Sequence, residues 1–172
     1  MKALKGFIGL MAFLLLAFIA GGFALPGSWS TERSRILRVP VEEVFPHLEN
    51  LTLWREWSSM AQVEGTLSEP AAGVGASFAW DDPQWGEGVF RITAVTPLRE
   101  VRYEVGVEDG SIQTSGHFTL RAGTAGTEVT WREEGDFGWN PLLAYFALGM
   151  DRMQGQELEK GLDRLEAILA GG

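Results

Sequence analysis

The chain has 172 residues, of which 45% are hydrophobic and 22% charged, and its formal net charge is −9. This length suits one domain with a sizeable core. The acidity disfavours nucleic-acid binding, which depends on neutralising phosphates, and the absence of cysteine excludes disulfides, thiol nucleophiles and thiolate metal sites.

Residues 1–27 predict a transmembrane anchor. Residues 7–25 form a run of 19 that is nearly all apolar, ended by Pro26 and Gly27. At about 1.5 Å per residue, this run spans roughly the 30 Å hydrocarbon core of a bilayer. Such a helix would tether the rest of the chain, residues 28–172, to the membrane.

The flanking charges bear on the orientation. Lys2 and Lys5 precede the run and favour a cytoplasmic N-terminus, whereas the three arginines at 33, 35 and 38 favour the reverse. We expect a single-pass protein whose soluble domain lies outside the cytoplasm. The alternative is a cleaved signal peptide, for which Gly22-Phe23-Ala24 supplies a small-x-small site, although the apolar region of such peptides usually has about 7–15 residues.

A strand and two short helices are predicted next. The strand runs from Trp29 to Val39, with its charged residues on one face. Pro40 opens the first helix, which Pro46 should shorten or kink. The second helix covers Leu51 to Trp57, with Thr52 as a candidate cap.

Six further strands, separated by turn signals, predict an antiparallel meander. They are Gln62–Ser68, Ala76–Asp81, Gly88–Val95, Glu100–Glu108, Ser111–Ala122 and Thr127–Glu134, and Asp109-Gly110 is a strong hairpin signal. Alternation places an apolar set on the inner face: Phe78, Trp80, Phe90, Ile92, Tyr103, Val105, Val107, Phe118, Leu120, Val129 and Trp131.

A long C-terminal helix is predicted to begin with Asn140 as N-cap and Pro141 in the first turn. Two apolar stripes follow, with a phase slip between them: Leu142, Phe146, Met150 and Met153, then Leu158, Leu162, Leu165 and Leu169. Three glycines at 149, 155 and 161 indicate a bend or a close approach of another backbone.

This order of elements, together with several short segments, resembles the SRPBCC superfamily, the START-like group of polyketide cyclases and lipid-transfer proteins. The resemblance covers residues 28–170 and looks closest to a bacterial subgroup with one N-terminal membrane helix. Its segments are Trp29–Ser34 with Ile36, Val39–Phe45, Leu53–Ser58, Gly73–Ala76, Gly86–Gly88, Gly126–Trp131 and Leu158–Leu165. It implies an α+β helix-grip fold, a curved antiparallel sheet around the long C-terminal helix with a cavity between them.

The candidate ligand-binding residues are the aromatic and methionine side chains expected inside. They are Trp54, Trp57, Phe78, Trp80, Phe90, Tyr103, Phe118, Trp131, Phe146, Met150 and Met153. Ligand pockets are mostly apolar, and methionine suits adaptable surfaces. The same pattern also fits a fully packed core.

Polar candidates are weaker. Glu87, between two glycines, and Asp136, before the long helix, could act as a general acid or base if burial raised their pKa. His47 and His117 have no neighbour that forms a dyad, and two histidines are too few for most metal sites, so no catalytic histidine, metal or cofactor is predicted.

Three functions fit these observations. The leading hypothesis is a membrane-tethered binder of a lipid or other hydrophobic small molecule, with residues 142–148 near the cavity mouth or the bilayer. The second is a cyclase, dehydratase or hydrolase acting on an apolar substrate through Glu87 or Asp136. The third is a protein-interaction module whose cavity is filled by its own side chains, with no protein partner identified.

Overall fold

A computed structural model describes residues 2–107 and 112–171 of the chain. In this part of the chain an N-terminal helix leads into a seven-stranded sheet, and a long C-terminal helix ends the fold. The elements are α1 Lys2–Ala24, β1 Ser28–Leu37, α2 Val41–Val44, α3 Pro46–Glu49, α4 Leu51–Trp57, β2 Gly65–Leu67, β3 Ser77–Asp82, β4 Gly86–Thr96, β5 Glu100–Val107, β6 Ile112–Gly123, β7 Gly126–Asp136 and α5 Pro141–Gly171.

The sheet is antiparallel throughout, in the order β1-β7-β6-β5-β4-β3-β2. The meander from β2 to β7 and the long α5 confirm the predicted helix-grip arrangement. The first strand joins the last, because β1 pairs with β7 along ten residues. The predicted hairpin turn at Asp109-Gly110 lies outside the described residues.

The predicted helix break at Pro46 is confirmed, whereas a helix cap and one strand differ from the predictions. Pro46 splits the first predicted helix into α2 and α3, as expected for a residue that has no N–H to donate. The predicted cap Thr52 was wrong, because Asn50 is extended and its side chain accepts the backbone N–H of Thr52 at 2.9 Å. The strand predicted over Gln62–Ser68 is shorter in the structure, where β2 covers only Gly65–Leu67.

The inner face of the sheet carries the core, as alternation predicted. The buried members are Phe78, Trp80, Phe90, Ile92, Tyr103, Phe118, Leu120, Val129 and Trp131, packed against Leu158, Leu162 and Leu165 of α5 and against α4. Val105 and Val107 are half-buried at the end of β5. Burial of these large side chains is the main source of stability in a domain of this size.

Helix α5 is fixed to β1 by ion pairs that begin ten residues after its start. Arg33 bonds Asp151 at 3.1 Å and Glu159 at 2.6 Å. Arg35 bonds Asp163 and, at 2.9 Å, Glu166. These pairs are partly exposed, so each adds little energy, but together they hold the register of the helix along the strand.

Two of the three helix glycines allow the predicted close approach. A Cβ on Gly161 would lie 2.6 Å from the ring of Trp131, and one on Gly155 would clash with the guanidinium of Arg33. Gly149 has nothing within 4 Å of such an atom. Gly155 and Gly161 therefore let side chains from the strands pack directly against the helix backbone.

The first half of α5 does not enter the core. The predicted stripe was wrong there, because Leu142, Phe146 and Met153 are exposed and Met150 is only half-buried. The core of the sheet ends before this segment, which packs beside α1 instead. The N-cap was right, since Asn140 Oδ1 accepts the backbone N–H of Leu142 at 3.0 Å.

Helix α1 packs on the start of α5. The rings of Phe18 and Tyr145 stack with centroids 4.4 Å apart, and the Tyr145 hydroxyl donates to the Phe18 carbonyl at 2.7 Å. A Cβ on Gly22 would overlap Pro141. Leu4–Ala24 is long and apolar enough to cross a membrane and is almost entirely exposed, properties that a signal sequence shares.

Candidate functional site

A cavity of about 190 Å³ lies between the inner face of the sheet, α4 and α5. Its walls are mostly aromatic and aliphatic. The lining residues are Trp54, Ser58, Ser59, Met60, Trp80, Trp85, Phe90, Tyr103, Val105, Val107, Thr114, Trp131, Glu133, Gln154, Glu157 and Leu158. Among these described residues there is neither lysine nor arginine.

The aromatic wall is a continuous stack. The centroid of Phe90 lies 4.4 Å from that of Trp54 on one side and 4.4 Å from that of Tyr103 on the other. Rings in such contact are held more firmly than isolated side chains. One flank of the cavity is therefore formed by rings in mutual contact.

At the end of this stack lies a buried carboxylate, Glu133, which is 6% exposed. The Tyr103 hydroxyl donates to its Oε1, and Gln154 Nε2 donates to its Oε2 at 2.6 Å. Trp131 Nε1 donates to the Tyr103 oxygen at 2.7 Å, which extends the chain of hydrogen bonds. A buried polar group is tolerated only with such partners.

Burial raises the pKa of Glu133 above its ordinary value, and the hydrogen bonds from Tyr103 and Gln154 partly oppose that effect. Burial next to Glu133 also raises the pKa of Tyr103 well above its ordinary value. The phenol therefore stays protonated and remains a donor to the carboxylate.

The raised pKa of Glu133 predicts a pH dependence of stability. Because the pKa of Glu133 is higher in the folded state than in the unfolded one, its protonated form stabilises the fold. This stabilisation is complete below the ordinary value of 4.5 and is lost as the pH rises through the folded-state pKa. We expect Glu133→Gln, which cannot ionise, to lose less thermal stability than the wild type over this rise. Thermal unfolding of both proteins across the pH range measures it, with the exposed Glu64→Gln as the control. Parallel curves for wild type and Glu133→Gln would contradict the prediction.

Two further donors in the cavity wall have no partner. Trp54 and Trp80 are both more than nine-tenths buried, and within the described ranges neither indole N–H finds an acceptor. An unpaired buried donor costs free energy.

The predicted ligand-binding residues fall into three groups. Those that line the cavity are Trp54, Trp80, Phe90, Tyr103 and Trp131. Those buried behind it are Trp57, Phe78 and Phe118. Phe146, Met150 and Met153 lie on the first half of α5, away from the cavity.

The polar candidates lie elsewhere. Glu87 is exposed on β4, and Asp136 is exposed at the end of β7, where its Oδ1 accepts the backbone N–H of Gly138 at 2.7 Å. Burial lowers the pKa of half-buried His47 in α3, and half-buried His117 lies in β6. None of the four lines the cavity, and the described residues contain no cluster of metal-ligating side chains.

Glu133 and Gln154 were missed by the sequence analysis, although a signal for Glu133 existed. The alternation that places Val129 and Trp131 on the inner face puts the residue two positions later there as well. Glutamate is rarely buried, so the apolar pattern appeared to end at Trp131. Gln154 lies in the phase slip of α5 and carried no signal.

A wider groove on the outer face of β1, β6 and β7 is a poorer candidate. It has a volume of about 690 Å³ but opens broadly to solvent, and charged groups such as Arg132, Glu134 and Asp136 line it. Enclosed, mostly apolar cavities are the usual sites for small molecules.

A family model described as "Polyketide cyclase / dehydrase and lipid transport" matches residues 28–170. The chain belongs to this family. No curated protein matches it. Family membership agrees with the fold and indicates a hydrophobic ligand or a cyclase-like role, without separating the two.

Solved structures of similar fold support the fold of this chain but indicate no function. A protein from Rhizobium leguminosarum is 18% identical, with a TM-score of 0.61, and the match covers 84% of this chain and 96% of that chain. One from Chromobacterium violaceum is 18% identical, with a TM-score of 0.59 and coverages of 81% and 96%. One of unknown function from Staphylococcus aureus is 12% identical, with a TM-score of 0.66 and coverages of 85% and 96%.

Proposed function

We propose that residues 28–172 bind a small hydrophobic molecule in the cavity beneath α5, and that residues 1–27 anchor this domain to a membrane. The observation that carries the proposal is the continuous aromatic wall of this partly open cavity, with one buried polar end at Glu133. Such a combination is typical of ligand sites, in which apolar walls give affinity and a few polar groups give orientation.

The volume limits the size of the ligand. A dry cavity of about 150 Å³ accepts benzene, whereas drug-sized ligands need roughly 300–1,000 Å³. At about 190 Å³, the cavity suits a molecule with one ring or a short acyl chain. A whole phospholipid would require the walls to move apart.

The sheet register supports access from the membrane side. One end of the sheet carries these pairs: Ser28 with Asp136, Thr114 with Gly135, Val107 with Gly88, and Asp82 with Gly86. Ser28 follows α1 closely, so this end is next to the anchor. Thr114 and Val107 line the cavity, and the cavity is therefore at the anchor end of the sheet.

The first half of α5, together with Trp139 just before it, presents an apolar surface beside α1. Trp139, Leu142, Phe146 and Leu148 are exposed, Trp139 by 89%. Tyr145 contacts Phe18, which lies six residues before the end of α1, or about 9 Å along a helix axis. If α1 spans a bilayer, this surface lies at the depth of the lipid headgroups and upper acyl chains, where aromatic side chains are favoured.

The decisive experiment is native mass spectrometry of the full chain, purified in detergent from its host, with organic extraction of the same sample. A small apolar compound bound at near-stoichiometric level would support the proposal and identify the ligand class. An empty protein that also takes up no one-ring aromatic probe would favour the interaction module with a filled core.

Membrane contact of α5 yields a separate prediction. Because the chain has no cysteine, a nitroxide can be attached at Phe146→Cys alone in the full chain in lipid vesicles. We expect this label to be more accessible to oxygen, which concentrates in lipid, than to a water-soluble nickel chelate. Gln156→Cys, on an exposed position two to three turns later, is the control and should show the opposite preference. Equal preferences at the two sites would contradict the prediction.

A second candidate function is proton transfer by Glu133. A buried carboxylate of raised pKa, at the end of an apolar cavity, has the properties of a general acid or base. The extracted ligand would be incubated with the wild type and with Glu133→Gln, and its mass followed. Loss of water or another change in mass that requires Glu133 would favour an enzyme, and an unchanged ligand would favour a binder.

A further inference from the structure

We infer that the cavity ligand is an organic amine: a one-ring-sized apolar body whose protonated amino group pairs with the Glu133 carboxylate. The inference rests on the proposed function, since it names the ligand class of the same cavity. Three observations support it: the partners of Glu133, the charges along the cavity wall, and the aromatic rings around it.

Glu133 has hydrogen bonds but no cation. Its two oxygens each accept one donor, from Tyr103 and from Gln154, and both of these donors are neutral. A carboxylate can accept about four hydrogen bonds, so acceptor capacity remains on Glu133, which is one of the residues that line the cavity. Elsewhere in the described chain, Arg33 and Arg35 each meet two acids, whereas Glu133 meets no base. A buried carboxylate without a cation is costly, and a bound ammonium group would supply the missing charge.

The charges along the cavity wall also favour a cationic ligand. Its second charged residue is also an acid, Glu157. The Oε1 atom of Glu157 accepts a hydrogen bond from Nζ of the exposed Lys160 at 2.6 Å. With two acids and no base among the described lining residues, the wall repels an anionic ligand such as a fatty acid. The net charge of −9 attracts cations to the protein as a whole.

The third observation is the number of aromatic rings around the cavity. Six aromatic residues line the cavity: Trp54, Trp80, Trp85, Phe90, Tyr103 and Trp131. The face of an aromatic ring attracts a cation, and tryptophan does so most strongly. Clustered rings beside a carboxylate form the kind of site that binds ammonium groups, while the apolar body of the ligand fills the remaining space.

Three probes of nearly equal shape test the charge: benzylamine, benzyl alcohol and ethylbenzene, which end in an ammonium, a hydroxyl and a methyl group. Their affinities would be measured by calorimetry on the full chain in zwitterionic nanodiscs at neutral pH. We expect benzylamine to bind at least about tenfold more tightly than either neutral probe, because hydrogen bonds between charged groups are the stronger ones. Glu133→Gln should remove this preference.

The control for surface and lipid binding is Thr114→Trp, which fills the cavity and keeps the net charge. Equal binding of the three probes, or tighter binding of benzyl alcohol, would overturn the amine inference while the proposed function stood. Binding of no probe above the Thr114→Trp background would overturn the proposed function itself. The comparison of probes on the wild type is valid even if Glu133→Gln fails to fold.

Discussion

Replacing Trp57 by alanine is expected to lower the free energy of unfolding by about 3–5 kcal/mol, the usual cost of truncating a buried tryptophan. Trp57 is fully buried at the end of α4. Its ring lies 5.6 Å from Trp131 and 6.0 Å from Phe118, between centroids. Its indole N–H also donates to the His47 carbonyl at 3.0 Å. The substitution removes all of these contacts and leaves a void between the sheet and the helices.

Denaturant unfolding of the full chain in detergent, followed by circular dichroism, would measure the loss. The matched control is Trp139→Ala, which removes the same side chain from a position that is 89% exposed and should change stability by at most about 0.5 kcal/mol. A similar loss in both variants would show that Trp57 does not hold the core together.

Replacing Tyr103 by phenylalanine is expected to cost about 2–3 kcal/mol, although it deletes a single oxygen atom. The hydroxyl donates to Glu133 and accepts from Trp131 Nε1. Its loss leaves two buried polar groups with one partner fewer, and each such group costs about 1–3 kcal/mol. The loss of this donor should also raise the pKa of Glu133 further, because the hydrogen bond from Tyr103 lowers it.

The chain has two tyrosines, and the other is the control. Tyr145→Phe removes a hydroxyl that bonds the Phe18 carbonyl at the exposed junction of α1 and α5, and we expect a change below about 1 kcal/mol. Equal unfolding midpoints for Tyr103→Phe and the wild type would mean that the buried hydrogen-bond chain contributes nothing to the fold.

The fold could be predicted from the sequence because its signals are local and repeated. Alternation in β3 to β7 identifies one apolar face, and six of those side chains line the cavity. Pro46 and Asn140 indicate a helix break and a helix start at the right places. Each of these signals depends on a few neighbouring residues, which a single sequence shows.

The candidate site and the packing of α5 could not be predicted in this way, because they depend on which residues meet across the fold. Phe146 and Met153 have the spacing of core residues, yet both are exposed. Phe146 lies next to the residue that contacts α1, and Met153 lies on the part of α5 that Arg33 holds to β1. Glu133 belongs to the inner face, but its burial is possible only because Tyr103 and Gln154, from a distant strand and helix, supply donors. The 190 Å³ cavity is what the packed side chains leave between them, and no periodicity in a sequence indicates such a gap.

The uneven attachment of α5 gives its two halves different local stabilities. From Asp151 onward the helix is fixed by the ion pairs of Arg33 and Arg35, and Leu158, Leu162 and Leu165 are buried. Before that point it buries only small side chains, Ala144 and Ala147, and leans on α1. Segments with few buried contacts open at low free-energy cost while the rest of a domain stays folded. The first turns of α5 should therefore open as a unit while the sheet, the rest of the helix and the cavity between them stay folded.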